Sequence, residues 1–289
     1  MKPAMPAKAA ITLCLSLGIL FFSSTVAVAA DVASCYEAPA VAGKLSGFQQ
    51  EPEREVIVIL DRTVNYGPNN GRQFKDNVYR TLTDWVKAGD ELTLISFGSL
   101  QPGGYPATYF KAMLDHPING EARERIGVRT LRMVDQCIPK QNMVVQKKFT
   151  EAFEKAWSDI DPDYPNTPLL NAMKYAAGEV NLGGEKSFIL LISDLMQHNT
   201  DRLTFYGTKP TSYRDNDSAF QLASVDSIVR DTDFKGARIY GMGIGYDATS
   251  RIGSRILEKL ETFWKAFFRQ TNAAVVELAP VSLTHTPGN

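Results

Sequence analysis

The sequence predicts a doubly wound α/β fold, a mostly parallel sheet with helices on both faces. Three observations predict it. Short β-branched runs alternate with longer stretches at helical spacing. The runs Val56-Ile57-Val58-Ile59-Leu60 and Phe188-Ile189-Leu190-Leu191-Ile192 are apolar at every position, the pattern of a strand buried on both faces. Each run leads into a carboxylate, Asp61 or Asp194, and ligands of such sheets bind beyond the carboxyl ends of the strands.

The elements follow in order. Residues 31–53 read as an arm without periodicity, and 54–280 as the domain. Glu55 to Leu60 is the first strand. Gly67-Pro68-Asn69-Asn70-Gly71 is a loop by its turn residues. Phe74, Val78, Leu82, Trp85 and Val86 recur at helical spacing, and Glu91 to Phe97 is a second strand. Thr108 to Met113 is an edge strand after the turn-rich Gly98 to Gly104. Glu121 to Val145, with Cys137 and Pro139, reads as irregular with a helical piece, and Lys147 to Ile160 as an amphipathic helix. Thr167-Pro168 reads as a helix N-cap followed by a proline at the first helical position, in a helix ending near Val180. Ser187 to Ser193 is a strand and Asn199 to Asp217 a polar surface loop. Ser218 to Arg230 is helical, Arg238 to Gly245 a strand, Ser250 to Gln270 a long helix and Ala274 to Leu278 the last strand. Residues 281–289 form a tail.

Composition narrows the function classes. Of the 289 residues 44% are apolar and 22% charged, which suits a globular domain with a sizeable core. The net charge is −1, with no basic patch for nucleic acid and no polybasic run for an anionic membrane. Residues 1–30 read as a signal peptide. Lys2 and Lys8 precede the uncharged stretch Ala9 to Ala30, and small residues place cleavage before Ala30 or Asp31. The competing reading is an uncleaved anchor, since the 22 uncharged residues could span a bilayer. Val32-Ala33-Ser34-Cys35 faintly resembles a lipoprotein box, but Asp31 stands where such boxes are apolar. After cleavage the chain is expected to be periplasmic or secreted and not inserted in a membrane. Cys14 leaves with the leader. Cys35 and Cys137 then form an even pair in an exported chain and are expected to be disulfide-bonded. Closing so long a loop stabilises by roughly 3–5 kcal/mol.

The chemistry is concentrated in three stretches: Asp61-Arg62-Thr63-Val64-Asn65, Thr167-Pro168-Leu169-Leu170-Asn171-Ala172-Met173 and Ile192-Ser193-Asp194. They offer only oxygen donors, which suits a hard divalent cation such as Mg²⁺. Together they resemble the von Willebrand factor A (vWA) family. That family has D-x-S-x-S after the first strand, a threonine before a central helix and an aspartate after the fourth strand. The resemblance spans about Glu55 to Leu278 and is loose from Gly98 to Pro165. Thr63 and Asn65 replace the family's two serines, and Leu195 stands where it usually has glycine, so that loop is expected to differ. The resemblance implies a metal-ion-dependent adhesion site of Asp61, Thr63, Asn65, Thr167 and Asp194, holding Mg²⁺ or Mn²⁺. Hydroxyl and amide oxygens would ligate directly and the carboxylates mostly through water. A free coordination position would take a carboxylate from a protein partner. The chain is then a binding protein and not an enzyme. The alternatives are a metal-independent structural subunit of an envelope assembly, with Asp61 and Asp194 only holding loops, and, more weakly, a phosphohydrolase of the haloacid dehalogenase type with Asp61 as nucleophile.

Other signals are weaker. Gly241-Met242-Gly243-Ile244-Gly245 lacks the G-x-G-x-x-G spacing of a dinucleotide fingerprint and reads as close backbone packing. His116, His198 and His285 have no neighbours at zinc spacing. Phe263, Trp264, Phe267 and Phe268 read as core with a shallow surface contact, or else as a partner-docking patch. The loop Asn199 to Asp217, with Phe205, Tyr206 and Tyr213, follows Asp194 and is the candidate for partner specificity.

Overall fold

The structure is a computed structural model describing residues 32–38, 41–45, 51–67, 70–98, 105–161, 163, 167–197, 205, 227–246 and 253–286. The leader, His198 and the loop Asn199 to Asp217, apart from Phe205, lie outside the described residues.

Among the described residues six strands form one sheet, in the order β3-β2-β1-β4-β5-β6. They are β1 (Arg54–Asp61), β2 (Asp90–Phe97), β3 (Ala107–Met113), β4 (Ser187–Ile192), β5 (Arg238–Met242) and β6 (Ala274–Ala279). All neighbours are parallel except β3, which runs antiparallel to β2 at one edge. β1 is central, pairing Leu60 with Ser96 of β2 and with Ile192 of β4. Its burial on both sides is the reason for its unbroken apolar run.

The helices are α1 (Asn70–Trp85), α2 (Gly120–Glu124), α3 (Val128–Ser158), α4 (Leu169–Glu179), α5 (Ser227–Arg230) and α6 (Ser254–Gln270). Alternate strand residues face opposite ways. Val56, Val58 and Leu60 pack with Phe74, Val78, Leu82 and Trp85 of α1 and Val145, Phe149 and Phe153 of α3. Ile57 and Ile59 pack with Leu169, Leu170 and Met173 of α4 and the aromatic face of α6. The doubly wound, three-layer α/β fold is therefore as the sequence predicts.

Two readings need correction. First, α3 is one helix of 31 residues, running straight through the region expected to be irregular. An internal proline disfavours a helix by about 3 kcal/mol. Here Leu131, Val134, Ile138, Gln141, Val145, Phe149, Phe153 and Ala156 keep a spacing of three or four residues across Pro139 and are all buried. Each large apolar side chain contributes roughly 1.5–3 kcal/mol, so packing outweighs the proline. Second, Phe263, Trp264, Phe267 and Phe268 are all at most 2% exposed, so the core reading holds while the shallow surface contact and the docking patch do not. Positions i, i+1, i+4 and i+5 share one helix face.

A third, smaller core joins the arm to α3. It contains Cys35, Tyr36, Val41, Leu45, Ile118, Leu131, Val134 and Ile138. Cys35 and Cys137 are disulfide-bonded across a separation of 102 residues, with Cα atoms 5.7 Å apart. Ser34 Oγ and Cys35 N donate to the Asp115 carboxylate, and Asp115 N donates to Gln141 Oε1. The arm is thus docked onto the domain.

Candidate metal centre

Parallel pairing brings the carboxyl ends of β1 and β4 side by side, so Asp61 and the Ser193-Asp194 pair share one rim. Asp61 is fully buried. Its Oδ1 accepts from Thr63 N at 2.9 Å and Thr63 Oγ1 at 2.7 Å, and its Oδ2 accepts from Ser193 Oγ at 2.7 Å. Thr63 Oγ1 lies 2.9 Å from Thr167 Oγ1, although 104 residues separate the two in sequence. Asp194 is 5% exposed, and its Oδ1 accepts from Met196 N at 2.8 Å. Burial raises the pKa of Asp61 above its ordinary value, against the hydrogen bonds from Thr63 and Ser193 that lower it.

The rim is tightly built. Gly98 has φ +93°, and a Cβ there would come within 2.6 Å of Thr63 Cγ2. Gly243, just past β5, has φ +100°, and a Cβ there would sit 3.1 Å from Ser193 O; within β5 a Cβ on Gly241 would come within 2.6 Å of Leu278 Cδ2, so these glycines serve close packing as expected. Arg62 is fully buried. Its guanidinium donates to Gly98 O at 2.7 Å and Tyr109 Oη at 2.9 Å, and its own carbonyl accepts from Asp161 N at 2.8 Å. It therefore ties together the loops that frame Thr63 and lead to Thr167.

Thr167 is buried, but its hydroxyl turns to Thr63 and does not cap a helix. α4 starts at Leu169, its N-cap residue is Pro168, and no side chain of that cap bonds the helix. The buried Gln197 supplies the missing acceptor, taking Leu170 N on Oε1 at 2.9 Å. Asn65 turns to its own loop, where Oδ1 accepts from Gly67 N at 3.1 Å. Leu195 has φ +62° and is buried, so the loop keeps the left-handed turn that glycine would favour despite the different residue. Its carbonyl accepts from Trp264 Nε1 at 2.8 Å.

Sequence reasoning missed three residues of this rim: Ser193, Gln197 and Tyr66. Ser193 adjoins Asp194 at a strand end, which was a usable signal. Tyr66 lies just beyond Asn65. It is buried, with ring centroids 4.9 Å from Phe74 and 4.7 Å from Trp157. Tyr246 Oη donates to its carbonyl at 3.1 Å. The Tyr66 hydroxyl has no hydrogen-bond partner among the described residues. Burial raises its pKa well above the ordinary value, and the carboxylates of Asp61 and Asp194 add to the rise.

Among the described residues no group of three or more His, Cys, Asp or Glu gathers at metal-binding distance. The rim instead offers two carboxylates and two converging hydroxyls, an all-oxygen set that fits Mg²⁺ or Mn²⁺ and not zinc. Oxygens about 2.0–2.1 Å from an octahedral Mg²⁺ lie about 2.9 Å apart along an edge. The Thr63 and Thr167 hydroxyls have that separation, which is also an ordinary hydrogen bond.

No family model matches the chain, and no curated protein matches it. Solved structures similar to it include an aerotolerance-related membrane protein from Bacteroides fragilis, at 13% identity and a TM-score of 0.33 over 78% of this chain and 91% of that one. The conserved hypothetical protein BatB from Bacteroides thetaiotaomicron aligns at 12% identity and a TM-score of 0.32, over 78% and 90% of the two chains. The human COPII-coat protein Sec24c aligns at 9% identity and a TM-score of 0.36, over 86% of this chain and 32% of that one.

Proposed function

We propose that the chain is an exported vWA-like protein that binds a protein partner through a divalent cation, Mg²⁺ or Mn²⁺, held by Asp61, Thr63, Thr167 and Asp194. Asn65 would join through its remaining lone pair or through water. The observation that carries this reading is the meeting of the Thr63 and Thr167 hydroxyls beside Asp61 on a buried carboxyl-end rim. With hydroxyls as direct ligands and the carboxylates acting mostly through water, a coordination position would be left for an acidic side chain of the partner. In this reading the chain is a binding protein and not an enzyme. The Cys35–Cys137 bridge supports an oxidising compartment, periplasmic or extracellular. Among the described residues no helix is long and apolar enough to cross a membrane.

A second reading is a metal-independent scaffold. It is favoured by the same hydrogen bonds, because both oxygens of Asp61 already have protein donors. Calorimetry separates the two. Saturable Mg²⁺ or Mn²⁺ binding by the wild-type chain, lost in Asp61→Ala and Thr167→Ala, supports the adhesion site. A folded wild-type chain that takes up neither cation leaves the scaffold.

A further inference from the structure

The Tyr66 hydroxyl is out of balance with its surroundings. The ring packs against Phe74 and Trp157, which also touch each other at 6.4 Å between centroids, and its backbone carbonyl is pinned by Tyr246. Phenylalanine would make the same stacks. The hydroxyl adds a buried polar group with no protein partner, which disfavours the fold by about 1–3 kcal/mol. Trp85 Nε1, Ser96 Oγ and Asn142 Oδ1 are also buried without partners among the described residues, but Tyr66 is the one of these on which the fields of both rim carboxylates, Asp61 and Asp194, bear. It makes no direct hydrogen bond to either carboxylate, so a water must carry any contact between them.

We propose that Tyr66 is a positioning residue of the metal centre: its hydroxyl hydrogen-bonds a water of the cation's shell, on the side of the rim lined by Phe74, Trp157 and Tyr246. The inference rests on the metal reading above. A side chain that orients the ligands of an ion in this way typically changes affinity by about 10–100-fold when removed. The stacked ring holds the hydroxyl in place before the ion arrives, so little entropy is lost on binding.

The test uses the full chain with Mn²⁺ as probe. Wild type, Tyr66→Phe and Asp61→Ala are titrated by calorimetry, and each is melted in chelator. Tyr66→Phe is expected to melt at or above the wild-type temperature in chelator, because an unpaired buried hydroxyl is gone. Its Kd for Mn²⁺ is expected to rise about tenfold or more. In wild type, Mn²⁺ is also expected to produce a tyrosine ultraviolet difference spectrum that Tyr66→Phe lacks. That second readout needs no comparison of stabilities. Wild-type Kd in Tyr66→Phe, within about threefold, with no such spectrum, overturns the role of Tyr66 and leaves the metal site standing. Mn²⁺ that fails to bind wild type overturns both.

Discussion

Each end of β1 carries a buried carboxylate, and the two are held in different ways. At the amino end Glu55 accepts from the backbone N–H groups of Asn181, Leu182 and Gly183 and from the Ser187 hydroxyl. Close by, Arg54 forms a two-pronged pair with Asp90, through Nε at 2.8 Å and Nη2 at 2.7 Å. Backbone amides and a guanidinium only donate, so most of the partners at this end have no second role to turn to. At the carboxyl end Asp61 is held largely by hydroxyls, those of Thr63 and Ser193, and Thr63 is met by Thr167. A hydroxyl donates or accepts, so its oxygen can turn from a neighbouring side chain to a cation. The amino end is built to stay closed and the carboxyl end to be rearranged.

The amino end, where the arm also docks through Asp115 next to the Leu114–Asp90 backbone bond, should therefore dominate stability. Removing the Cys35–Cys137 bridge, by Cys35→Ser with Cys137→Ser, is expected to destabilise by roughly 3–5 kcal/mol, read from urea unfolding. Glu55→Ala leaves three amides and a hydroxyl unpaired and is expected to lose about 3 kcal/mol by the same measurement. A loss near zero would break the comparison.

Asp61→Asn should act with the opposite sign. Burial raises the folded pKa of Asp61, so its charged form disfavours the fold. The penalty is fully present above the folded pKa and disappears as pH falls to the ordinary value of 3.8, because the folded chain takes the proton first. In chelator Asp61→Asn should accordingly be more stable than wild type at neutral pH, with the difference closing on acidification. Its Mn²⁺ affinity should fall at least about tenfold. Unfolding curves across pH, with parallel calorimetry, check both. Leu195→Gly is expected to have the smallest effect. It relieves a left-handed backbone, worth about 1–2 kcal/mol, and gives up a buried side chain worth roughly 1.5–3 kcal/mol. A net loss of about 1 kcal/mol in thermal unfolding is expected.

The site was legible where local pattern and placement coincide. Asp61 and Asp194 end strands whose apolar runs announce burial on both faces, so their shared rim follows from parallel pairing alone. The part played by Thr167 was less legible. A threonine before a proline reads as a helix cap, and only the approach of Thr63 shows the other use of its hydroxyl. Gln197 caps α4 from 27 residues away, a contact with no local signature. Pro139 hid the continuity of α3, because a single breaker outweighs periodicity in a short window while the whole core decides in the folded chain.

By itself the sequence determined the α/β class, the order of strands and helices, the oxygen chemistry of the candidate site and the cysteine pair. These follow from periodicity and residue type, which are local properties. The tertiary structure alone decided which hydroxyl meets which carboxylate, that the aromatic face of α6 lies inside, and that Tyr66 carries an unpartnered hydroxyl beside the rim. Those facts depend on contacts between segments remote in the chain, and a hydrogen bond forms or fails within a few tenths of an ångström.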